Sequence, residues 1–166
     1  MKNSDFFDIK RELLFVETAE EVESLIAQGA DVNGLMGKVF PLALAANVEV
    51  AKALIENGAD VNIKNKDGEN ALFLNKNVDV LRFLAEKGIK INHLNKNGEN
   101  ALFHTSDIRV VKTLIKLGCS PFIKNNDGFT HECKIKEQDK HEYDSFIFLL
   151  KKMIKKRMEQ DALQLA

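Results

Sequence analysis

The stretch NKDGENALFLNKNVDVLRFLAEKG, residues 65–88, occurs a second time as NKNGENALFHTSDIRVVKTLIKLG, residues 95–118. The two copies start thirty residues apart, and eight of their first nine residues are identical. Self-similarity at a fixed period of roughly 20–50 residues is typical of proteins built from stacked repeats. The sequence therefore predicts a chain of small units, each of which packs against the next.

The same spacing of a leucine and a glycine marks four units. The leucine precedes the glycine by sixteen residues in each pair: Leu13 and Gly29, Leu42 and Gly58, Leu72 and Gly88, Leu102 and Gly118. Five residues after each leucine stands a side chain that can cap a helix start: Thr18, Asn47, Asn77 and Asp107. Each unit should therefore contain a helix that begins after the cap and ends at the glycine. A shorter helix should precede it, capped by Asn70, Asn100 or Thr130, or begun by Pro41.

Two linked motifs resemble those of ankyrin repeats. The family's G-x-T-P-L-H motif is matched at residues 68–73 and 98–103, which read GENALF in both copies. Its G-A-D-V-N motif is matched at residues 29–33 and 58–62, and more loosely at 88–92. The turn between the helices lacks about three residues of the common ~33-residue repeat. The resemblance implies an all-α ankyrin-repeat solenoid, built of stacked helix-turn-helix pairs with short finger loops.

The resemblance also implies one domain, residues 1–166. It divides into an N-terminal capping repeat (5–33), three internal repeats (34–62, 63–92 and 93–122) and a C-terminal capping repeat (123–166). In the last unit Glu132 replaces the leucine, and residues 143–158 carry a long apolar stripe. A terminal repeat needs a polar outer face. Four lysines are expected to supply it: Lys151, Lys152, Lys155 and Lys156.

Ankyrin proteins bind other macromolecules, usually proteins, through the finger tips and the exposed side of the first helices. The fingers here are residues 30–40, 59–69, 89–99 and 119–129, and the run from the preceding glycine to the next repeating leucine is one residue shorter at the first finger. The family's finger contacts fall on Leu35, Met36, Lys38, Phe40, Lys64, Lys66, Asp67, Glu69, Leu94, Lys96, Asn97, Glu99, Lys124, Asn126 and Phe129. Its first-helix contacts fall on Leu44, Leu74, Asn75, His104 and Thr105. Because exposed apolar groups rimmed by polar ones are typical of binding surfaces, Phe40, Leu94 and Phe129 are expected to include hot spots.

Known catalytic motifs do not occur in the chain: it has no phosphate loop, nucleophile elbow or paired-carboxylate motif. Cys119, His131, Cys133 and His141 lack the close paired spacing of zinc sites. His104 has no nucleophile paired with it by any motif. We therefore expect no enzymatic activity, no metal and no cofactor.

The charge balance bears on partner and location. Lys and Arg number 24 against 25 Asp and Glu, whereas nucleic-acid binders usually carry a basic face. The basic run at residues 151–157 suggests nucleic acid or anionic lipid, but its helix needs its apolar stripe to cover the previous repeat. No signal peptide or transmembrane run is evident. We expect a cytoplasmic chain that does not bind nucleic acid or membrane and is a monomer when free. Its many Lys and Asn residues, with AT-rich codons, hint at a bacterial source.

The resemblance implies a non-enzymatic protein-binding module. Small stand-alone bacterial ankyrin proteins resemble immunity proteins of polymorphic toxin systems, which block a toxin by occupying or distorting its active site. We therefore expect an immunity or inhibitor protein whose partner is a cognate toxin domain. The alternatives are a general ankyrin scaffold, a host-directed effector, or a nucleic-acid or membrane binder that uses the basic C-terminal helix.

Overall fold

A computed structural model of the chain describes residues 9, 11–131, 139–148, 151, 152 and 155. Four long helices span Ala19–Ala27, Val48–Glu56, Val78–Glu86 and Ile108–Lys116. Short helices span Pro41–Leu44 and Ala71–Leu74, and a 3-10 helix takes their place at Ala101–His104. Residues 139–148 are also helical. Within the described residues β structure is limited to two single bridges, Met36–Val39 and Lys124–Thr130. The predicted all-α class is confirmed.

The long helices begin and end where the sequence predicts. At the first, the Thr18 hydroxyl accepts from the Glu21 amide and the Glu21 carboxylate accepts from the Thr18 amide, each at 3.2 Å. Side chains of Asn47, Asn77 and Asp107 cap the next three helices. After each helix a glycine adopts φ between 85° and 103°, which a residue with a Cβ rarely does.

The caps of the short helices also tie one unit to the next. Asn100 Oδ1 accepts from the Leu102 amide at 3.2 Å, while its Nδ2 donates to the Ser120 carbonyl at 2.7 Å. Asn70 makes the matching pair of bonds. Pro41 begins its helix at the first helical position, as expected. The short helices that follow Asn70 and Asn100 are thereby fixed relative to the following finger.

Successive units share a continuous core. Each long helix packs on the next long helix, and each short helix packs on the next short one. The repeating leucines of the short helices, Leu42, Leu72 and Leu102, are no more than 1% exposed. Those of the long helices, Leu54, Leu84 and Leu114, are fully buried. Burial between neighbours is how a stack of this kind gains its stability.

The fifth unit is described in part. Tyr143 and Ile147, four residues apart on one helix face, are buried, which confirms the predicted apolar stripe at these two positions. Lys151, Lys152 and Lys155 are exposed. The expectations for Glu132, Cys133 and Lys156 lie outside the described residues, and a capping role for Thr130 stays a prediction.

Candidate protein-binding surface

The fingers lie side by side and are joined at their tips by hydrogen bonds. The Lys96 amide donates to the Asp67 carbonyl at 3.0 Å, and the Asn126 amide donates to the Asn97 carbonyl at 2.9 Å. The approach is close enough that a Cβ on Gly98 would lie 2.5 Å from Asn126 Oδ1. Equivalent positions of successive fingers therefore form rows across one surface.

A second set of bonds joins the base of each of the first three fingers to the next unit. Asn92 Nδ2 donates to the Gly118 carbonyl at 2.8 Å, and Asn92 Oδ1 accepts from the Ser120 amide at 2.8 Å. The same pair of bonds is made one and two units earlier by Asn62 and Asn33. We call Asn33, Asn62 and Asn92 the asparagine brackets. In the fourth finger the bracket position holds Phe122 instead.

The first finger differs in shape, as its missing residue predicts. Met36 and Val39 exchange both backbone hydrogen bonds, at 2.9 and 3.1 Å, around a two-residue turn. Gly37 in that turn has φ of 63°, the left-handed conformation that tight hairpin turns require. The other three fingers turn over a longer loop, in which residue 65, 95 or 125 bonds to the residue four positions on.

Phe40 is 1% exposed, so the expectation that it is an exposed anchor is wrong. The one-residue shortening puts Val39 at the position of Glu69 and Glu99, and Phe40 at the helix-cap position of Asn70. Phe40 offers no side-chain hydrogen bond there, and its ring fills the core instead.

Three polar residues carried over from the family are buried as well: Glu69 at 7%, Asn75 at 5% and Thr105 at 7% exposed. Asn75 Nδ2 donates to the Ala45 carbonyl of the preceding unit at 2.9 Å. The Thr105 hydroxyl accepts from the Asp107 amide at 3.2 Å. In the free protein these side chains stabilise the stack and are not open to a partner.

Glu69 and Glu99 face one imidazole, that of His104. His104 Nδ1 lies 3.4 Å from Glu69 Oε1, and His104 Nε2 lies 3.1 Å from Glu99 Oε2. Asn65 donates to Glu69 at 2.8 Å, and Asn95 donates to Glu99 at 3.2 Å. We call Glu69, Glu99 and His104 the glutamate–histidine cluster. His104, expected as a surface contact, is thus a bridge between two units with 26% of its side chain exposed.

The cluster keeps its charges inside the protein. Burial alone would raise the pKa of Glu99, but hydrogen bonds from Asn95, His104 and Asn125 outweigh it and hold that pKa below its ordinary value. The Glu99 carboxylate is therefore ionised at neutral pH, although only 13% of its side chain is exposed. Its negative charge interacts with Asn95 and His104 and is largely hidden from solvent.

The remaining predicted contacts form an open surface. Its apolar members, Leu35, Leu94 and Phe129, are 44%, 43% and 59% exposed. Its exposed polar members are Lys38, Lys64, Lys66, Lys96, Asn97, Lys124 and Asn126. Four others are partly buried: Met36, Leu44, Asp67 and Leu74. We call the exposed members the finger surface.

Within the finger surface, Lys38 is paired. Its Nζ lies 2.7 Å from Asp67 Oδ2. The hydrogen bond and charge of Lys38 hold the pKa of Asp67 below its ordinary value. Asp67 therefore stays ionised and engaged with its neighbour in the first finger.

Phe122, which was not among the predicted contacts, is 46% exposed in the fourth finger. Lys151 Nζ of the terminal helix lies 5.6 Å from the centre of its ring. The signal was present in the sequence, because Phe122 stands where the other fingers carry a bracket asparagine. A break in a repeat at one position is itself informative.

Three further observations concern metal ligands, membrane-spanning helices and the buried cysteine of the described residues. Their His, Cys, Asp and Glu side chains do not form a group of three that could hold a metal ion. Of the helices described, none is both long and apolar enough to cross a membrane. Cys119 is buried, and burial raises the pKa of its thiol to about 12, so it is protonated at neutral pH.

Comparison with known proteins agrees with this geometry. The family model described as ankyrin repeats (3 copies) matches residues 15–95 and 42–125, which together span more than half of the chain. Among curated proteins, none matches the chain. Ankyrin repeats are protein–protein interaction scaffolds and are generally not enzymes. With its repeats, its caps and its fingers all in the family pattern, this chain belongs to the ankyrin repeat family.

Proposed function

We propose that this chain is an immunity protein that binds a cognate toxin domain in the cytoplasm and neutralises it by direct contact. The observation that carries the proposal is the exposure of Leu35, Leu94 and Phe129 among the lysines of the finger surface. Exposed apolar groups with a polar rim are typical of protein-binding sites. An inhibitor of this kind needs only a surface complementary to its partner.

The frame behind the finger surface supports a tight binder. Asparagine brackets, tip-to-tip bonds and the glutamate–histidine cluster hold each finger to its neighbour before any partner arrives. A surface that is already ordered loses little conformational entropy on binding. The free chain would be a monomer that presents this surface to the toxin domain.

Two measurements test the proposal. The chain should restore growth to cells that express the toxic C-terminal domain encoded beside its own gene. Changing Leu94 and Phe129 together to Ser should weaken binding of that domain by roughly 2–4 kcal/mol, the scale of buried interface anchors. The melting temperature should hardly move, because both side chains are exposed in the free protein.

Phe148 provides a matched control, since it is 67% exposed but lies on the terminal helix. Phe148→Ser should leave binding and protection intact. Binding without protection would point to a general scaffold instead of an immunity protein. Loss of binding in Phe148→Ser but not in the double variant would show that the site is wrongly placed.

A further inference from the structure

In the outer part of each finger, after its bracket position, burial sorts the charges by sign. Beyond the bracket positions, the four fingers carry five lysines, and all five are exposed: Lys38, Lys64, Lys66, Lys96 and Lys124. They carry four acidic residues, two of which, Glu69 and Glu99, are withdrawn into the glutamate–histidine cluster. Asp67 is paired with Lys38, and Asp127 is exposed. The sequence is mixed in charge here, but the surface is basic.

Leu94 lies at the middle of one row of equivalent finger positions. The equivalent positions on the neighbouring fingers are Lys64 and Lys124, thirty residues to either side, and Lys96 follows Leu94 on its own finger. The hydrogen bonds between tips keep these fingers adjacent. Phe129 ends the fourth finger, at the position where the second and third fingers carry the withdrawn glutamates. Two apolar side chains are thus set among lysines.

We propose that the finger surface binds an acidic segment of a protein. Leu94 and Phe129 contact apolar side chains of that segment, and Lys64, Lys96 and Lys124 pair with its carboxylates. The inference rests on the proposed protein-binding function and adds the charge of the partner. Opposite charge at the rim of an interface mainly speeds association and selects the partner.

A protein fits this surface better than a nucleic acid or an anionic membrane. Leu94 and Phe129 require apolar groups on the partner at two separate fingers. Asp67 and Asp127 lie beside the lysines along the second and fourth fingers and would repel a continuous line of phosphates. A protein segment can place its carboxylates opposite the lysines and leave the aspartates facing neutral groups.

The test is selection of a displayed random-peptide library on the immobilised full chain at low salt. Enriched peptides should combine Asp or Glu with large apolar residues. A synthetic representative should bind the Lys64→Gln, Lys96→Gln, Lys124→Gln triple variant about tenfold more weakly than the parent at about 0.05 M salt. The difference should fall below about twofold at about 0.5 M salt, where surface charges are screened.

A matched control variant has the same net charge as the finger triple variant but leaves the fingers unchanged. It changes Lys52, Lys87 and Lys116, which are exposed on or at the end of three long helices. This variant should bind the peptide like the parent. Both triple variants should have the same melting temperature as the parent, which excludes unfolding as the cause of any loss of binding.

Each other result overturns the inference. If the enriched peptides are neutral or basic and their binding requires Leu94 and Phe129, the inference of an acidic partner is wrong, but the proposed protein-binding function still holds. If no enriched peptide depends on Leu94, Phe129 or the three finger lysines, both the acidic partner and the proposed binding function of this surface are wrong. Phosphatidylserine vesicles or a single-stranded oligonucleotide that bind as tightly as the peptide, through the same lysines, would show that the partner class is wrong.

Discussion

The third and fourth fingers have the same length, yet they use two equivalent positions in opposite ways. In the third, Asn92 is a bracket to the next unit and Glu99 is held in the glutamate–histidine cluster. In the fourth, these positions hold Phe122 and Phe129, which are 46% and 59% exposed. Of the residues described beyond 131, 139–148 form a helix and none forms a further finger. Where a finger follows, the two positions serve the stack; where none follows, they become surface.

The difference teaches that position within a repeat does not by itself decide whether a residue serves structure or binding. The neighbour decides it. A family contact position is open to a partner only where the next unit makes no use of the side chain. Changes at matched positions should therefore have unequal effects, and the size of each effect measures how far the stack depends on that side chain.

The largest effect is expected in the core between units. Leu102→Ala should lower the free energy of unfolding by about 2–5 kcal/mol, because Leu102 is fully buried and its removal leaves a cavity. Leu94→Ala, on the finger surface of the adjacent finger, should cost less than about 1 kcal/mol, since its side chain is 43% exposed. Urea unfolding measures both. Equal losses would contradict the division between frame and surface.

A smaller effect is expected at the bracket position. Asn92→Ala removes two hydrogen bonds of 2.8 Å to the next unit and should cost about 1–2 kcal/mol. Phe122→Ala, at the equivalent position, breaks no bracket and should cost clearly less. Asn62→Ala should repeat the Asn92 result one unit earlier. If Phe122→Ala were the more damaging change, Phe122 would be part of the core.

The brackets and caps show which features could be read from the sequence. Helix starts at Asn47 and Asp107 depend on a side chain and the backbone two or three residues away, so a local pattern suffices to predict them. The burial of Glu99 depends on Asn125 and His104, which come from another finger and another helix. Phe40 is buried and not exposed as predicted, because a missing residue shifts the register of its finger. The contacts between units, and therefore which charges are exposed, could be determined only from the structure.

A change at Glu99 should have an effect that depends on pH. Because the folded-state pKa of Glu99 lies below its ordinary value, the carboxylate adds stability that is fully present above about pH 4.5 and is lost as pH falls through the folded-state pKa. Glu99→Gln should cost about 1 kcal/mol at neutral pH. The gap from the parent should narrow below about pH 4.5.

Urea midpoints measured from neutral to acidic pH test this, with Glu86→Gln as the control because Glu86 is an exposed long-helix residue. The control should follow the parent at every pH. A constant gap between parent and Glu99→Gln across the acid range would show that the charge of Glu99 is not what stabilises the cluster.

The smallest change in stability is expected from Phe129→Glu, which restores the residue that ends the second and third fingers. The bonds that shape this finger are made by the backbone of residue 129: its amide donates to Asn125 Oδ1 at 2.9 Å, and its carbonyl accepts from the Asn125 amide at 2.9 Å. Both bonds are independent of the side chain. A glutamate could also accept from Asn125 Nδ2, as Glu99 does from Asn95.

Phe129→Glu should therefore leave the free energy of unfolding within about 0.5 kcal/mol of the parent, because little apolar area is buried at a side chain that is 59% exposed. Partner binding should nevertheless be lost, since the change removes an apolar anchor and places a carboxylate where an acidic segment would dock. Urea unfolding and peptide titration on one preparation separate the two effects. A loss of stability above about 2 kcal/mol, the scale of a core change, would mean that the fourth finger needs Phe129 as the third needs Glu99. The contrast between the two fingers would then be one of packing and not of function.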